Sequence, residues 1–154
     1  MADVWPLHGD GQRFENAGVV TATTSLTDIP ENASNNVKGA WAELVAASAF
    51  DATGFLLNYM FTPASNRSIL IDIGVGAAGS ETVILSNVLT GQASAGHTVA
   101  EVLYIPLGIP AGSRVACRYQ ISTITTANLM VAVTLLGAGF LGGSPYGNSE
   151  TWGA

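Results

Sequence analysis

SILIDIGVGAAGSETVI, residues 68–84, is the stretch whose reading decides the fold. Gly74, Gly76 and Gly79 spell G-x-G-x-x-G directly after an apolar run that ends at Ile73. Between a strand and a helix, that spelling gives a tight turn, a close backbone approach to a pyrophosphate and a helix N-terminus aimed at the anion. The helix is what this chain does not supply. Glu81–Leu85 (ETVIL) carries adjacent β-branched residues, and Gly91 arrives before a stable helix is built. The acidic residue that should follow about twenty positions on is missing too, since Glu101 is the nearest and lies inside a later strand pattern. Residues 68–84 therefore read as a strand, a Gly/Ala-rich turn and a second strand, a hairpin-like corner of an all-β domain with no cofactor.

Outward from that corner, strands and turns continue. Val19–Leu26, Gly54–Phe61, Ser68–Val75, Thr82–Leu89, Ala100–Leu107, Ser113–Ser122 and Asn128–Leu136 are strand candidates. The clearest is the segment in which Val115, Cys117, Tyr119 and Ile121 share one face and Arg114, Ala116, Arg118 and Gln120 the other. Ala40–Ala47 is ambiguous, because its alanines tolerate helix while Trp41, Glu43 and Val45 alternate with Ala42 and Leu44. Asp28–Asn36 reads as a loop around Pro30. Thr62–Asn66 and Ile109–Gly112 read as turns, the second as type I with Pro110 in second and Gly112 in fourth position. About eight strands at short spacing, with no helix pattern long enough for a crossover, predict an antiparallel β-sandwich, specifically a jelly roll. The expected organisation is an N-terminal arm over 1–18, a sandwich over 19–136 and a Gly-rich C-terminal arm over 137–154.

Composition bounds the partners. The 154 residues are 48% hydrophobic and only 10% charged, against about 25% in an ordinary soluble domain. That shortfall suggests a surface completed by other protein subunits. A net charge of −6 with five Lys and Arg cannot make a phosphate-tracking stripe, so nucleic acid is not an expected partner. No membrane partner is expected either. The most apolar run, Leu129–Leu141, is interrupted by Gly137 and Gly139 and falls short of the roughly 20 residues a spanning helix needs. The N-terminus lacks the basic start of a signal peptide. Cys117 is the single cysteine, which rules out an internal disulfide, and its inward strand position reads as a small buried hydrophobe.

Catalytic chemistry finds little to work with. His8 and His97 lie in polar or Gly/Ala/Ser segments, with no nucleophile elbow or Cys–His pairing near them. Asp72, between Ile71 and Ile73, is the acid most worth following. With Glu81 or Glu101 it could form a glycosidic carboxylate pair, but an ion pair with Arg114 or Arg118 across strands or at a subunit contact is the stronger expectation. Asp28 and Glu31 share a loop without the calcium-binding pattern. No catalytic, cofactor or metal residue is expected, and the chain reads as a non-enzyme. Trp5, Trp41 and Trp152 could form a sugar-stacking platform, but such residues more often anchor cores or interfaces. The tail after Gly137 keeps Phe140, Leu141, Tyr146 and Trp152 among glycines and serines. Trp5, Phe140, Tyr146 and Trp152, with Arg114 and Arg118, are therefore the expected interface residues.

NVKGAWAEL (Asn36–Leu44), ILIDIGVGAAGSETVI (Ile69–Ile84) and YIPLGIPAGSRVACRYQ (Tyr104–Gln120), taken in order, resemble a β-sandwich module of tailed-bacteriophage virion structural proteins. The GAAGSE and IPAGSR segments carry most of the resemblance, which spans roughly Asn35–Leu136 in one copy. It implies a virion structural protein, placed in the particle after assembly in the host cytoplasm. A small, acidic chain with aromatic arms fits a capsid cement or decoration protein. Its expected partners are itself, as a homo-oligomer and most simply a trimer, and the major capsid protein or other virion proteins. The alternative is a tail, fibre or receptor-binding component with a carbohydrate-binding sandwich.

Overall fold

The computed structural model describes residues 14–20, 25–63, 66–90, 97–124 and 128–137. Ten strands run through them: β1 (Phe14–Ala17), β2 (Val19–Val20), β3 (Ser25–Ile29), β4 (Ala42–Val45), β5 (Ala52–Thr62), β6 (Ile69–Val75), β7 (Thr82–Leu89), β8 (Val99–Ile105), β9 (Val115–Ile121) and β10 (Asn128–Gly137). None of the described residues is helical. The strands form two antiparallel sheets, one of six strands in the order β2-β3-β10-β5-β8 with β1 also on β10, and one of four in the order β4-β9-β6-β7. From β3 to β10 the chain changes sheet at every connection except the β6–β7 hairpin.

Period-two alternation builds the core. Phe55, Leu57, Tyr59 and Phe61 of β5 and Leu129, Val131, Val133 and Leu135 of β10 point inward from the larger sheet. Ile69, Ile71 and Ile73 of β6 and Val115, Cys117, Tyr119 and Ile121 of β9 meet them from the smaller one. All are essentially removed from water. At roughly 1.5–3 kcal/mol per large apolar side chain, this interface is the main source of stability. Burial also pushes the Cys117 thiol well above its ordinary range, as suits a packing residue and not a nucleophile.

The G-x-G-x-x-G segment is the β6–β7 hairpin. Ile73↔Leu85, Gly74↔Val83 and Val75↔Thr82 pair antiparallel where a cofactor loop would need a helix. Gly76 (φ 120°) and Gly79 (φ 80°) take backbone conformations that side-chain-bearing residues avoid, and the Ser80 N–H donates to the Ala77 carbonyl across the turn at 3.0 Å. Ala40–Ala47 resolves in favour of a strand, β4, paired to β9.

Four details differ from the sequence reading. Val19–Leu26, read as one strand, holds β2 and the start of β3, which pair antiparallel with Val19 opposite Leu26. Residues 14–17, grouped there with the N-terminal arm, form β1, in register with β10 from Phe14↔Leu136 to Ala17↔Val133. The loop expected to begin at Asp28 begins after Ile29, because Asp28 and Ile29 still pair with Met130 and Leu129. The Pro110 turn is shifted by one residue. Ser113 N–H donates to the Pro110 carbonyl at 3.2 Å, so Pro110 comes first and Gly112 third, with a φ of 76°. Type I does not use that conformation at the third position, whereas type II requires it. The buried Ser48 fixes the shift, donating from Oγ to the Pro110 carbonyl at 2.7 Å and accepting the Ser113 N–H at 3.1 Å.

Candidate functional site

The charge that this chain does possess is concentrated on the outer face of the four-stranded sheet. Lys38, Arg114 and Arg118 are three of its five basic residues, and they share this face with Asp72, Glu43 and Glu81. Loop 30–41 delivers Lys38 and Trp41 to it. Asn32 makes an Asx turn, accepting the Ser34 N–H and donating to the Lys38 carbonyl, while the Asn36 and Gly39 N–H groups donate to the Ile121 and Tyr119 carbonyls at the end of β9. Gly39 permits this course, because a Cβ there would lie 2.5 Å from the Pro30 carbonyl oxygen.

Asp72 is the centre of the face, and it is 3% exposed. One carboxylate oxygen accepts from Lys38 Nζ at 2.7 Å and from the Asn87 N–H at 2.9 Å, and the other from Arg118 Nε at 3.0 Å. Burial alone would push this carboxyl up, but the Lys38 ammonium, the Asn87 N–H and the Arg118 guanidinium hold it below the usual carboxylate range. Asn87 is available because β7 bulges: Ile71 pairs with Val88 and Ile73 with Leu85, leaving Ser86 and Asn87 opposite Asp72, with Asn87 at a φ of 55°. Arg118 also lies over the Trp41 ring, 4.4 Å from its centroid. Beneath that indole sits Gly74, whose absent Cβ would lie 2.8 Å from the Trp41 ring. The first glycine of the phosphate-like motif thus allows a close approach, to tryptophan. Arg114 bridges Glu43 and Glu81 at 2.7 Å each.

Every charge named on this face is answered within the chain. The cross-strand pairing anticipated for Asp72 is made with Arg118, and Arg114 takes two other acids. Arg114 and Arg118, expected at an interface, have their guanidinium groups engaged by their own subunit. Glu81 faces Arg114 and Glu101 accepts a hydrogen bond from the Tyr59 hydroxyl on the other sheet, so neither carboxylate is paired with Asp72. Lys38 and Trp41 are the members the sequence reading did not place, and the spacing of 34 residues between Lys38 and Asp72 carries no local signal. His97 is exposed just before β8. Among the described residues no cluster of three or more metal-ligating side chains occurs. Trp5, His8, Phe140, Tyr146 and Trp152 lie outside the described residues.

The larger sheet presents the opposite surface. Register places Ala100, Val102 and Tyr104 of β8, Leu56, Asn58 and Met60 of β5, and Met130, Ala132, Thr134 and Leu136 of β10 on one outer face. None of these positions is charged, and Asp28 of β3, opposite Met130, adds one carboxylate to the same face. Val102 is 60% and Tyr104 45% exposed. One sheet therefore has a self-paired charged outer face, and the other a mainly apolar one that is open along β8 and covered at Ala132 and Leu136 of β10.

No protein-family model and no curated protein matches the chain. Some solved structures are weakly similar to it. A chain in the structure of infectious bursal disease virus Gx strain matches 83% of this chain at 8% identity and a TM-score of 0.45. One in the crystal structure of the T13 IBDV viral particle matches 84% at 10% identity and 0.47, and one of the Gt strain 84% at 12% and 0.38. This chain covers 32–33% of the length of each, about a third.

Proposed function

We propose that this chain is a structural protein of a tailed-bacteriophage virion, a capsid cement or decoration subunit and not an enzyme. The observation that carries the reading is the largely apolar outer face of the six-stranded sheet, where Val102 and Tyr104 are left to solvent, beside a smaller sheet whose outer charges pair with one another. A subunit completed by neighbours needs such a face. Strand order adds support. Counting β3 to β10 as one to eight, the sheets run 1-8-3-6 and 2-7-4-5, the connectivity we read as a jelly roll, an architecture used by viral capsid domains and by lectins. The GAAGSE and IPAGSR segments supply the link to phage particles. They form the β6–β7 hairpin and the Pro110 turn that feeds β9, the corners that frame the charged face.

In this reading the protein sits in the virion as a homo-oligomer, most simply a trimer, against the major capsid protein. The experiment is copy number in purified particles, from stained gel bands with quantitative mass spectrometry. Stoichiometry matching the capsid subunits supports decoration, and a small set confined to the tail overturns it in favour of a tail or fibre component. A glycan array tests the carbohydrate-binding alternative. Trp41, the tryptophan within the described residues, lies under Arg118 and offers no open platform.

A further inference from the structure

Along the main path of each sheet there are four terminal strands in all, and three of them are blunted, as is β1, a four-residue strand off that path that pairs only with β10. β2 has two residues, β4 has four and a register shift against β9, and β7 carries the bulge at Ser86 and Asn87. Short strands and bulges are the usual devices that stop a sheet edge from recruiting another chain. The fourth is different. β8 runs seven residues, VAEVLYI, and pairs with β5 through seven consecutive rungs, Phe55↔Ile105 to Phe61↔Val99, with no shift. It contains no Pro and no Lys, and among the described residues no strand pairs with its second edge. Ala100, Glu101, Val102 and Tyr104 are all exposed. Its one charge, Glu101, faces the inner side and accepts the Tyr59 hydroxyl, so the outer side of the edge carries no charge.

We propose that the free edge of β8 pairs with β8 of a second copy, antiparallel about a two-fold axis through Val102, joining two six-stranded sheets into one. The occupant follows from the strand itself, which is self-complementary in this register. Val102 meets its own mate. Ala100 lies opposite Tyr104, small against large, and continues the apolar outer face across the axis. On the inner side Glu101 meets Leu103 and Val99 meets Ile105, so no like charges face each other. A slip that set Glu101 against Glu101 would oppose two carboxylates, and that fixes the register. The contact stands independently of any placement in a particle. A seven-rung edge buries less than the 1,200 Å² or so of a stable dimer, so the pairing is concentration-dependent and gains strength only where copies are held in an array.

Cysteine cross-linking of the full chain tests it. The native Cys117 is wholly buried and does not compete. Under a mild oxidant, Val102→Cys brings two thiols opposite each other, whereas Ala100→Cys leaves them four rungs apart, beyond disulfide reach. The expected result is a covalent dimer forming at least about tenfold faster for V102C than for A100C. Sedimentation of the unmodified wild type should show a concentration-dependent doubling in mass of its smallest species, monomer or trimer, that Val102→Lys removes without lowering the melting temperature. Equal cross-linking rates for the two cysteine variants would overturn the proposal. So would a wild type whose smallest species shows no doubling at the highest attainable concentration, or a doubling that survives V102K.

Discussion

Replacing Asp72 by Asn keeps the shape of the side chain and removes the charge on which the outer face converges. The Asn carbonyl can still accept from Lys38 and from the Asn87 N–H, but the amide NH₂ then points at Arg118 Nε, donor against donor, where 3.0 Å now separates donor from acceptor. Removing one partner of a fully buried ion pair costs about 3–5 kcal/mol. The Lys38 and Arg118 side chains are 18% and 28% exposed and regain part of their hydration, which lowers the expected loss to about 2–3 kcal/mol. For a chain of this size that is a fall of about 5–10 °C in Tm. The pH dependence gives a second readout with a definite sign. The folded carboxyl lies below its ordinary value, so its stabilisation is fully present above the unfolded pKa and is lost as pH falls through the folded one. Urea titrations of wild type and D72N should differ by a constant amount from about pH 5.5 to 8 and converge below about pH 4. A difference under about 0.5 kcal/mol at pH 7, or one that persists unchanged into acid, would refute the account of Asp72 as the hub of the face.

Gly74→Ala forces the Trp41 ring off the sheet and should cost about 1–3 kcal/mol as overpacking, with a change in tryptophan emission that Gly79→Ala, which meets no neighbouring atom, does not produce. Gly76→Val, at a φ of 120° with its Cβ 3.3 Å from the Ser80 carbonyl, should lose more than the roughly 1 kcal/mol of an ordinary glycine substitution in denaturant melts. Tyr119→Phe should be neutral or stabilising by up to about 1 kcal/mol, because its hydroxyl is buried without a hydrogen-bond partner among the described residues; Tyr59→Phe removes a hydrogen bond to Glu101 and should destabilise. Deleting residues 140–154 should leave the far-UV spectrum and Tm of the sandwich in place while weakening oligomerisation in sedimentation, and loss of folding would show that these residues belong to the core.

How much of this could be read from the sequence depended on where each partner lies. β9 was fully legible because both of its neighbours, β4 and β6, leave Val115, Cys117, Tyr119 and Ile121 facing the core, so alternation and burial coincide. The β6–β7 hairpin was legible because a helix was the only alternative and β-branched residues disfavoured it. β1 was not, since FENA has no alternation and its strand character comes from Thr134 and Leu136, about 120 positions away. The charged face was half legible. Asp72 was singled out by its apolar neighbours, with Arg114 or Arg118 as its partner, and the β6–β9 register selects Arg118. Lys38 came from a loop whose course depends on Asn32 and Gly39, and Trp41 required knowing that Gly74 would leave a seat for it. Turn type at Pro110 was missed because the buried Ser48 hydroxyl, 62 residues away in sequence, decides which carbonyl closes the turn.

β10 lies between β5 on one side and β1 and β3 on the other, and it supplies Leu129, Val131, Val133 and Leu135 to the core. During synthesis, β1, β3 and β5 emerge with a gap where their shared neighbour belongs, and nothing made up to residue 127 can close it. The sandwich is thus assembled around its last strand, like an arch that stands only once the keystone is set. A fragment ending at residue 127 should remain sensitive to protease along its whole length, and protection should arrive in one step when the chain is extended through residue 137.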